Sequence, residues 1–266
     1  MSPNAAATQH RRSEPSSALT RLREFAEARP RAFWIALIAG FVFPLYFPIA
    51  WLTPPERAVE LRTIFDDLIP FMRNGIWIYS LVYFTSFYPL LVVRSDRLFH
   101  HMGAAYVATL LISFSTFVLM PVTTRSYRPA TIELDDGSFP GWAMSLNFHL
   151  DPPYNCFPSV HVALAFTAAF CVLKADILQG VIAILVAIAI SVSTLLVKQH
   201  YIADVIAGLI IALLVKGVVL DRFKPRPEDR PCAWPGAIGA GFVPVYGLIV
   251  VAVYNGLYLR GWAPWR

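Results

Sequence analysis

Charged residues are scarce in this sequence. Asp, Glu, Lys and Arg make up 15% of the 266 residues, whereas 57% are hydrophobic. A soluble domain carries about a quarter charged residues, so the composition excludes an ordinary soluble domain and favours an all-α, polytopic membrane helix bundle. Hydropathy predicts spans close to the roughly 20 residues that a helix needs to cross a bilayer, at 32–52, 75–93, 104–122, 159–175, 177–197, 201–220 and 237–259.

Cysteine is also rare. The three cysteines, Cys156, Cys171 and Cys232, fall outside the membrane, within a span and inside on the predicted topology, which excludes a disulfide framework. Their spacing fits no metal site. The sequence therefore predicts no resident metal and no cofactor.

The first 30 residues lack the early apolar core of a cleavable signal peptide. They are rich in Arg, Ser and Pro, so we predict a disordered basic tail over 1–30 and a membrane-embedded domain over 31–266. The formal charge of +5 comes without an aromatic-basic array, which favours anionic lipid headgroups over nucleic acid as the partner.

Lys and Arg are more frequent in the segments that are cytoplasmic when the N-terminus lies inside. Loops rich in these residues stay in the cytoplasm, so we predict a cytoplasmic N-terminus. Segments 123–158 and 198–201 are then extracytoplasmic. A bacterial inner (plasma) membrane suits such a compact chain.

A first polar cluster interrupts the apolar pattern at Pro158–His161. Pro158 stops a helix from running back, so Ser159 is placed as an N-cap. The free amides and dipole of the following helix make an anion site, to which Ser159 adds a donor. The alternative is that Ser159 only caps the helix while His161 bonds a loop carbonyl.

A second cluster contains His200 and Asp204, which share a helix face because they are four residues apart. Such a carboxylate fixes the tautomer of the imidazole and stabilises the imidazolium, which leaves the other ring nitrogen free to react. A structural hydrogen bond or a pair of metal ligands remains an alternative. The coincidence of two histidines, a carboxylate and nearby arginines at one membrane level favours a functional site.

The third cluster supplies Arg125 and Arg128, whose planar guanidinium groups suit a phosphate. Arginines that reach lipid headgroups are the alternative. Arg128 is the better candidate because Pro129 stiffens the chain beside it, and Lys198 is a further candidate cation.

Taken together, these residues resemble the type 2 phosphatidic acid phosphatase superfamily, membrane enzymes that share a fold with vanadium haloperoxidases. The family pattern is Lys-x6-Arg-Pro, Pro-Ser-Gly-His and Ser-Arg-x5-His-x3-Asp. The matching positions are Arg128, Pro129, Pro158, Ser159, His161, Ser193, His200 and Asp204. The resemblance implies a six-helix phosphatase-type core, here with a seventh C-terminal span, and makes 31–266 the catalytic domain.

Three positions depart from the family pattern. Pro121 replaces its lysine, Thr194 replaces its second arginine and Val160 replaces its glycine. Two cations that grip phosphate are therefore missing, and Lys198 or Arg125 is the expected substitute. The reduced pattern resembles the inositol phosphorylceramide synthase branch, which transfers a phospho-headgroup between lipids.

The resemblance implies that His200, oriented by Asp204, attacks phosphorus while His161 protonates the departing oxygen. Water or an alcohol would then displace the phosphohistidine, with Arg128 and Ser159 stabilising the charge. The expected function is hydrolysis of a lipid phosphate or diphosphate on the extracytoplasmic side. The alternatives are a lipid phosphotransferase and a transporter or other non-enzymatic membrane protein, although transporter sites lie nearer the midplane.

Overall fold

The computed structural model describes residues 18–129, 134, 136–234 and 236–265. Its regular elements are helices, which confirms the all-α fold class. A π-helix and a 3-10 turn (Ile38–Val42 and Phe43–Leu45) join α2 to α3. The α-helices are α1 Ala18–Ala28, α2 Pro30–Leu37, α3 Tyr46–Leu52, α4 Ile64–Leu68, α5 Ile76–Tyr79, α6 Val82–Thr85, α7 Tyr88–Val92, α8 Asp96–Leu119, α9 Phe139–Leu150, α10 Val160–Ala175, α11 Ile177–Leu196, α12 Ile202–Val218, α13 Ala237–Ala240 and α14 Phe242–Leu259.

Among the described residues, 5 helical segments are long and apolar enough to cross a membrane. These are Pro30–Leu52, Asp96–Leu119, Ile177–Leu196, Ile202–Arg222 and Ala237–Leu259, and the apolar α10 is shorter. Large apolar side chains such as Phe41, Leu185 and Leu248 are exposed on them. Lipid tails would cover these side chains, so the architecture is that of a polytopic helical bundle.

Within the predicted tail 1–30, residues 18–28 form the helix α1. Ala, Leu, Arg and Glu dominate this stretch, and all are good helix formers. Leu19, Leu22 and Phe25 recur at helical spacing and are exposed along one face. Residues 1–17 of the predicted tail lie outside the described residues.

The predicted span 75–93 is not one helix but the three short helices α5, α6 and α7. Serine and threonine hydroxyls bond carbonyls in the preceding turn here, as Ser80 Oγ does to Ile76 O at 2.7 Å and Ser86 Oγ to Val82 O at 3.0 Å. Such bonds compete with the regular helix pattern. Pro89 also lacks the N–H that a continuing helix requires.

The third span begins at Asp96 rather than at the predicted 104. Ser95 caps this helix, since its Oγ accepts from Leu98 N at 3.3 Å. The first turns are polar, so hydropathy alone places the start too late, whereas the cap marks it correctly.

Helix α10 lies at the centre of the bundle, with most of its residues buried against α8, α11 and α12. Its contact with α12 is unusually close at Gly208, where an added Cβ would lie 2.5 Å from Ser159 O. Ser159 N also donates to Asp204 O at 3.0 Å. The first turns of α10 and α12 are therefore held side by side at one end of the bundle.

The opposite end of the bundle is tied by ion pairs. Lys174 and Lys216 both contact Asp221, at 2.8 and 2.9 Å. Arg31 Nε contacts Asp96 Oδ1 at 3.0 Å. These charges lie away from the first turns of α10 and α12, so the two ends of the bundle differ in chemistry.

We expect Gly208→Ala to lower the free energy of unfolding by about 1–3 kcal/mol, because overpacking forces a close contact apart. Gly217→Ala on the same helix is the matched control, since nothing lies within 4 Å of an added Cβ there. Thermal unfolding in detergent compares the two. Equal stability of both variants would contradict the close packing at Gly208.

Candidate active site

Two imidazoles meet where α10 and the start of α12 lie together. His161 Nδ1 is 3.1 Å from His200 Nε2, a hydrogen-bond distance, and the ring planes are inclined at 61°. His200 is 1% exposed. The structure thus brings together the two histidines that the sequence analysis places in one site, although they are 39 residues apart.

Asp204 lies behind His200. Its Oδ2 is 3.3 Å from His200 Nδ1 and accepts from Tyr201 N at 2.8 Å. The carboxylate is fully buried, and its Oδ1 has no hydrogen-bond partner among the described residues. With Nδ1 directed at Asp204, His200 presents Nε2 to His161.

Ser159 is the N-cap of α10, as predicted. Its Oγ accepts from Val162 N at 3.3 Å, and its backbone is extended. Two residues further on, His161 therefore lies in the first turn, where the helix dipole favours an anion.

Arg128 lies beside the histidine pair with unused donors. Its Nη1 donates to Asp151 O at 2.9 Å, and its guanidinium lies 4.7 Å from the centre of the Phe148 ring. Its Nε and Nη2 are buried without a hydrogen-bond partner in the described part of the chain. Buried donors on a permanent cation are costly unless they are met, so Arg128 suits an anion.

Asp151 lies in this site, although the sequence analysis does not identify it. The side chain is 5% exposed. Its carboxylate accepts from Tyr46 OH, from Gln199 Nε2 and from Tyr79 OH, the last at 3.2 Å. These donors come from three distant segments, so no local sequence signal marks Asp151.

Lys198 does not contact the histidine pair, and the expectation that it replaces a missing cation stays a prediction. Its Nζ donates to Tyr127 OH at 2.7 Å, to Asp66 O at 3.2 Å and to Ile69 O. Burial lowers the pKa of Lys198 from its ordinary value, and Asp66 opposes that shift. Lys198 has a positive φ of 57°, and these bonds fasten the chain where it turns toward His200.

Arg125 is exposed at the edge of the same end of the bundle. Its Nη1 lies 3.4 Å from Tyr154 OH, and its backbone N donates to Thr123 Oγ1 at 3.1 Å. The structure gives it no contact with either histidine, so its predicted role in binding a substrate stays a prediction.

Thr194 and Pro121 occupy the positions where the family pattern has cations. The carbonyl oxygens of both accept backbone hydrogen bonds. Thr194 O accepts from Gln199 N at 3.0 Å and from His200 N at 3.3 Å. Pro121 O accepts from Val59 N at 3.0 Å. Within the described residues, no group of three or more His, Cys, Asp or Glu side chains is placed to hold a metal ion.

Asp66 anchors the segment before α5 to the start of α12. Its Oδ2 accepts from Thr63 N at 2.8 Å and from Thr63 Oγ1 at 2.6 Å, and its Oδ1 accepts from Ile202 N at 2.8 Å. The side chain is fully buried. Asp66 thus fixes the residues that follow His200.

The fold and the site define an all-α membrane protein with a buried histidine pair at one end of its bundle. Residues 101–226 match the family model of the PAP2 superfamily, which is consistent with a member of the type 2 phosphatidic acid phosphatase superfamily. Members are generally phosphoryl-transfer enzymes. Comparisons with curated proteins and with solved structures give no match.

We expect Asp66→Asn to lower the free energy of unfolding by about 1–3 kcal/mol, because an amide N–H₂ would face N–H and O–H donors. Asp67→Asn is the matched control: Asp67 forms an exposed pair with Arg62, which stabilises by at most about 1 kcal/mol. Thermal unfolding in detergent measures both. A larger loss at Asp67 than at Asp66 would contradict the anchoring role.

Proposed function

We propose that this protein is an integral membrane enzyme that hydrolyses a lipid phosphate or diphosphate through a phosphohistidine on His200. The observation that carries the proposal is the contact between His200 Nε2 and His161 Nδ1, with Asp204 at the other nitrogen of His200. One nitrogen is thereby free to attack, and a second group able to carry a proton lies within reach of it.

A phosphoryl group bound here replaces the direct contact between the two rings. His200 Nε2 attacks phosphorus as the bond to the leaving oxygen breaks, and His161 gives that oxygen a proton. Asp204 holds the Nδ1 proton of His200 and stabilises the positive ring. Water then attacks the phosphohistidine, His161 takes its proton, and phosphate leaves.

The charge on the phosphoryl oxygens needs donors near the rings. Arg128 offers Nε and Nη2, which have no hydrogen-bond partner among the described residues, and α10 directs its N-terminus to the same end. Hydrogen-bond donors that are already oriented stabilise the charge of a transition state more than water does, because they need no reorganisation.

The location of the site at one end of the helical bundle suits a phosphate group that is part of a lipid. The histidines lie at the ends of apolar helices, at the level where headgroups meet a bilayer. Arg31, Lys174 and Lys216 lie at the opposite end, so the basic-residue rule gives a cytoplasmic N-terminus and an extracytoplasmic site. We place the protein in a bacterial inner membrane, with anionic headgroups as further partners.

A lipid phosphotransferase is the second candidate. The same histidines would pass the phosphoryl group to an alcohol, and the replacement of two family cations by Pro121 and Thr194 favours this branch. Only the second step differs, since an alcohol takes the place of water.

We expect His200→Asn to abolish phosphate release, with a loss of at least about 10⁴-fold in kcat, because asparagine can bond Asp204 but cannot form a phosphohistidine. An acid-labile phosphoenzyme, trapped with radiolabelled substrate, should disappear as well. The matched control is His149→Asn, because His149 is exposed. Retained turnover or labelling in His200→Asn would contradict the mechanism.

A substrate screen separates the two enzyme classes. The purified protein is given phosphatidic acid or a polyprenyl diphosphate, with and without ceramide or another alcohol. Free phosphate in the absence of an alcohol is expected for the hydrolase. A new phospholipid that forms only when the alcohol is present would instead identify the phosphotransferase.

A further inference from the structure

Asp151 lies on the side of His161 that faces away from His200. Its Oδ2 is 3.7 Å from His161 Nε2, which is too long for a direct hydrogen bond. Tyr79 bridges the gap, because its hydroxyl is 3.0 Å from His161 Nε2 and 3.2 Å from Asp151 Oδ2. The second histidine thus has a carboxylate behind it, as His200 has Asp204.

The carboxylate of Asp151 is surrounded by hydrogen-bond donors. Tyr46 OH, Tyr79 OH and Gln199 Nε2 all donate to it. Arg128 adds a nearby positive charge through its contact with Asp151 O. Partners from several segments therefore hold the side chain of Asp151 in place.

Hydrogen-bond donors and acceptors can be assigned along the row Asp204, His200, His161, Tyr79 and Asp151. Asp204 takes the Nδ1 proton of His200, so His200 Nε2 is an acceptor and His161 Nδ1 must donate to it. Tyr79 has a single proton, and when it donates that proton to Asp151 its oxygen accepts from His161 Nε2. All these contacts are met when the carboxylate of Asp151 is ionised and His161 carries protons on both nitrogens.

We propose that Asp151, acting through Tyr79, is a positioning residue that holds His161 as the doubly protonated acid of the first chemical step. This inference rests on the proposed function. As the bond from phosphorus to the leaving oxygen breaks, His161 gives its Nδ1 proton to that oxygen. The Nε2 proton stays on His161, hydrogen-bonded to the Tyr79 oxygen. In the second step water returns a proton to Nδ1, so Asp151 and Tyr79 end unchanged.

Other titratable groups around His161 do not replace this arrangement. His200 and Asp204 lie on its Nδ1 side, and Arg128 contacts the backbone of Asp151 rather than the ring. Tyr83 packs against Tyr79 and bonds Asn147. Among the described contacts, the Nε2 side of His161 is therefore served by Tyr79 and Asp151.

The test uses two phosphate monoesters with the same long alkyl tail, one with an alcohol and one with a nitrophenol as the leaving group. An alcohol needs a proton to depart, whereas a nitrophenol does not. We expect Asp151→Asn to slow phosphoenzyme formation, measured in a single turnover, about 100-fold with the alkyl ester. With the nitrophenyl ester the loss should stay below about fivefold, because acid catalysis contributes about 10²- to 10⁴-fold only where a proton is needed.

Tyr79→Phe keeps the ring and removes the bridge, so it should show the same contrast between the two esters even if Asp151→Asn folds poorly. Asp136→Asn is the control, since Asp136 pairs with Arg73 at the surface and both rates should stay unchanged. In a His161→Asn background, Asp151→Asn should add no further loss with the alkyl ester.

Equal losses with both esters, or a further loss in the His161→Asn background, would overturn the inference while leaving the phosphohistidine mechanism intact. Failure of the unsubstituted protein to release phosphate from either ester would overturn the proposed function and the inference together. The two failures are therefore distinguishable.

Discussion

The contact between His161 and His200 depends on one constraint: a polar group inside an apolar bundle must have a partner, because its burial otherwise costs free energy. Each ring nitrogen that faces away from the pair meets this constraint by a different route. His200 uses Asp204 in the first turn of the helix that follows it, and His161 uses Tyr79 and Asp151 from separate segments. The other contacts of the site hold these partners in place.

The packing of α10 on α12 converts that constraint into a fixed geometry. Gly208 lets the second helix approach Ser159 O, and Ser159 N bonds Asp204 O. Because the same carboxylate residue both orients His200 and holds the start of α10, a shift between the helices would disturb both histidines. The packing of the two helices and the geometry of the site are therefore coupled.

The sequence predicted the parts of the site that are encoded locally. A proline before Ser159 indicates a cap, and a spacing of four places Asp204 beneath His200, so neither needs knowledge of the fold. The environments of Asp151 and Lys198 could not be predicted in this way, because they are built from distant residues. Tyr46, Tyr79 and Asp66 bury or bond them, and all three precede the segment that matches the superfamily.

The distinction between local and distant signals also explains which helices could be predicted from the sequence. Composition and hydropathy identify a helical bundle, since a long apolar run is seldom anything other than a membrane-spanning helix. Hydropathy does not show that hydroxyls and Pro89 divide 75–93 into α5, α6 and α7, or that α1 forms before the first span. The broken segment has a consequence for the site, because α5 ends at Tyr79 and places its hydroxyl between His161 and Asp151.

Charge balance links the missing family cations to the proton on His161. Asp151 and Asp204 place two carboxylates near the histidines, and Arg128 is the guanidinium that contacts this group. A bound phosphate adds further negative charge, and Lys198 is committed to Asp66 O, Ile69 O and Tyr127. A doubly protonated His161 would supply a positive charge beside the phosphate without a lysine or an arginine. On the proposed mechanism that charge is transient, since the proton leaves with the departing oxygen, and Asp151 is the residue that favours its return.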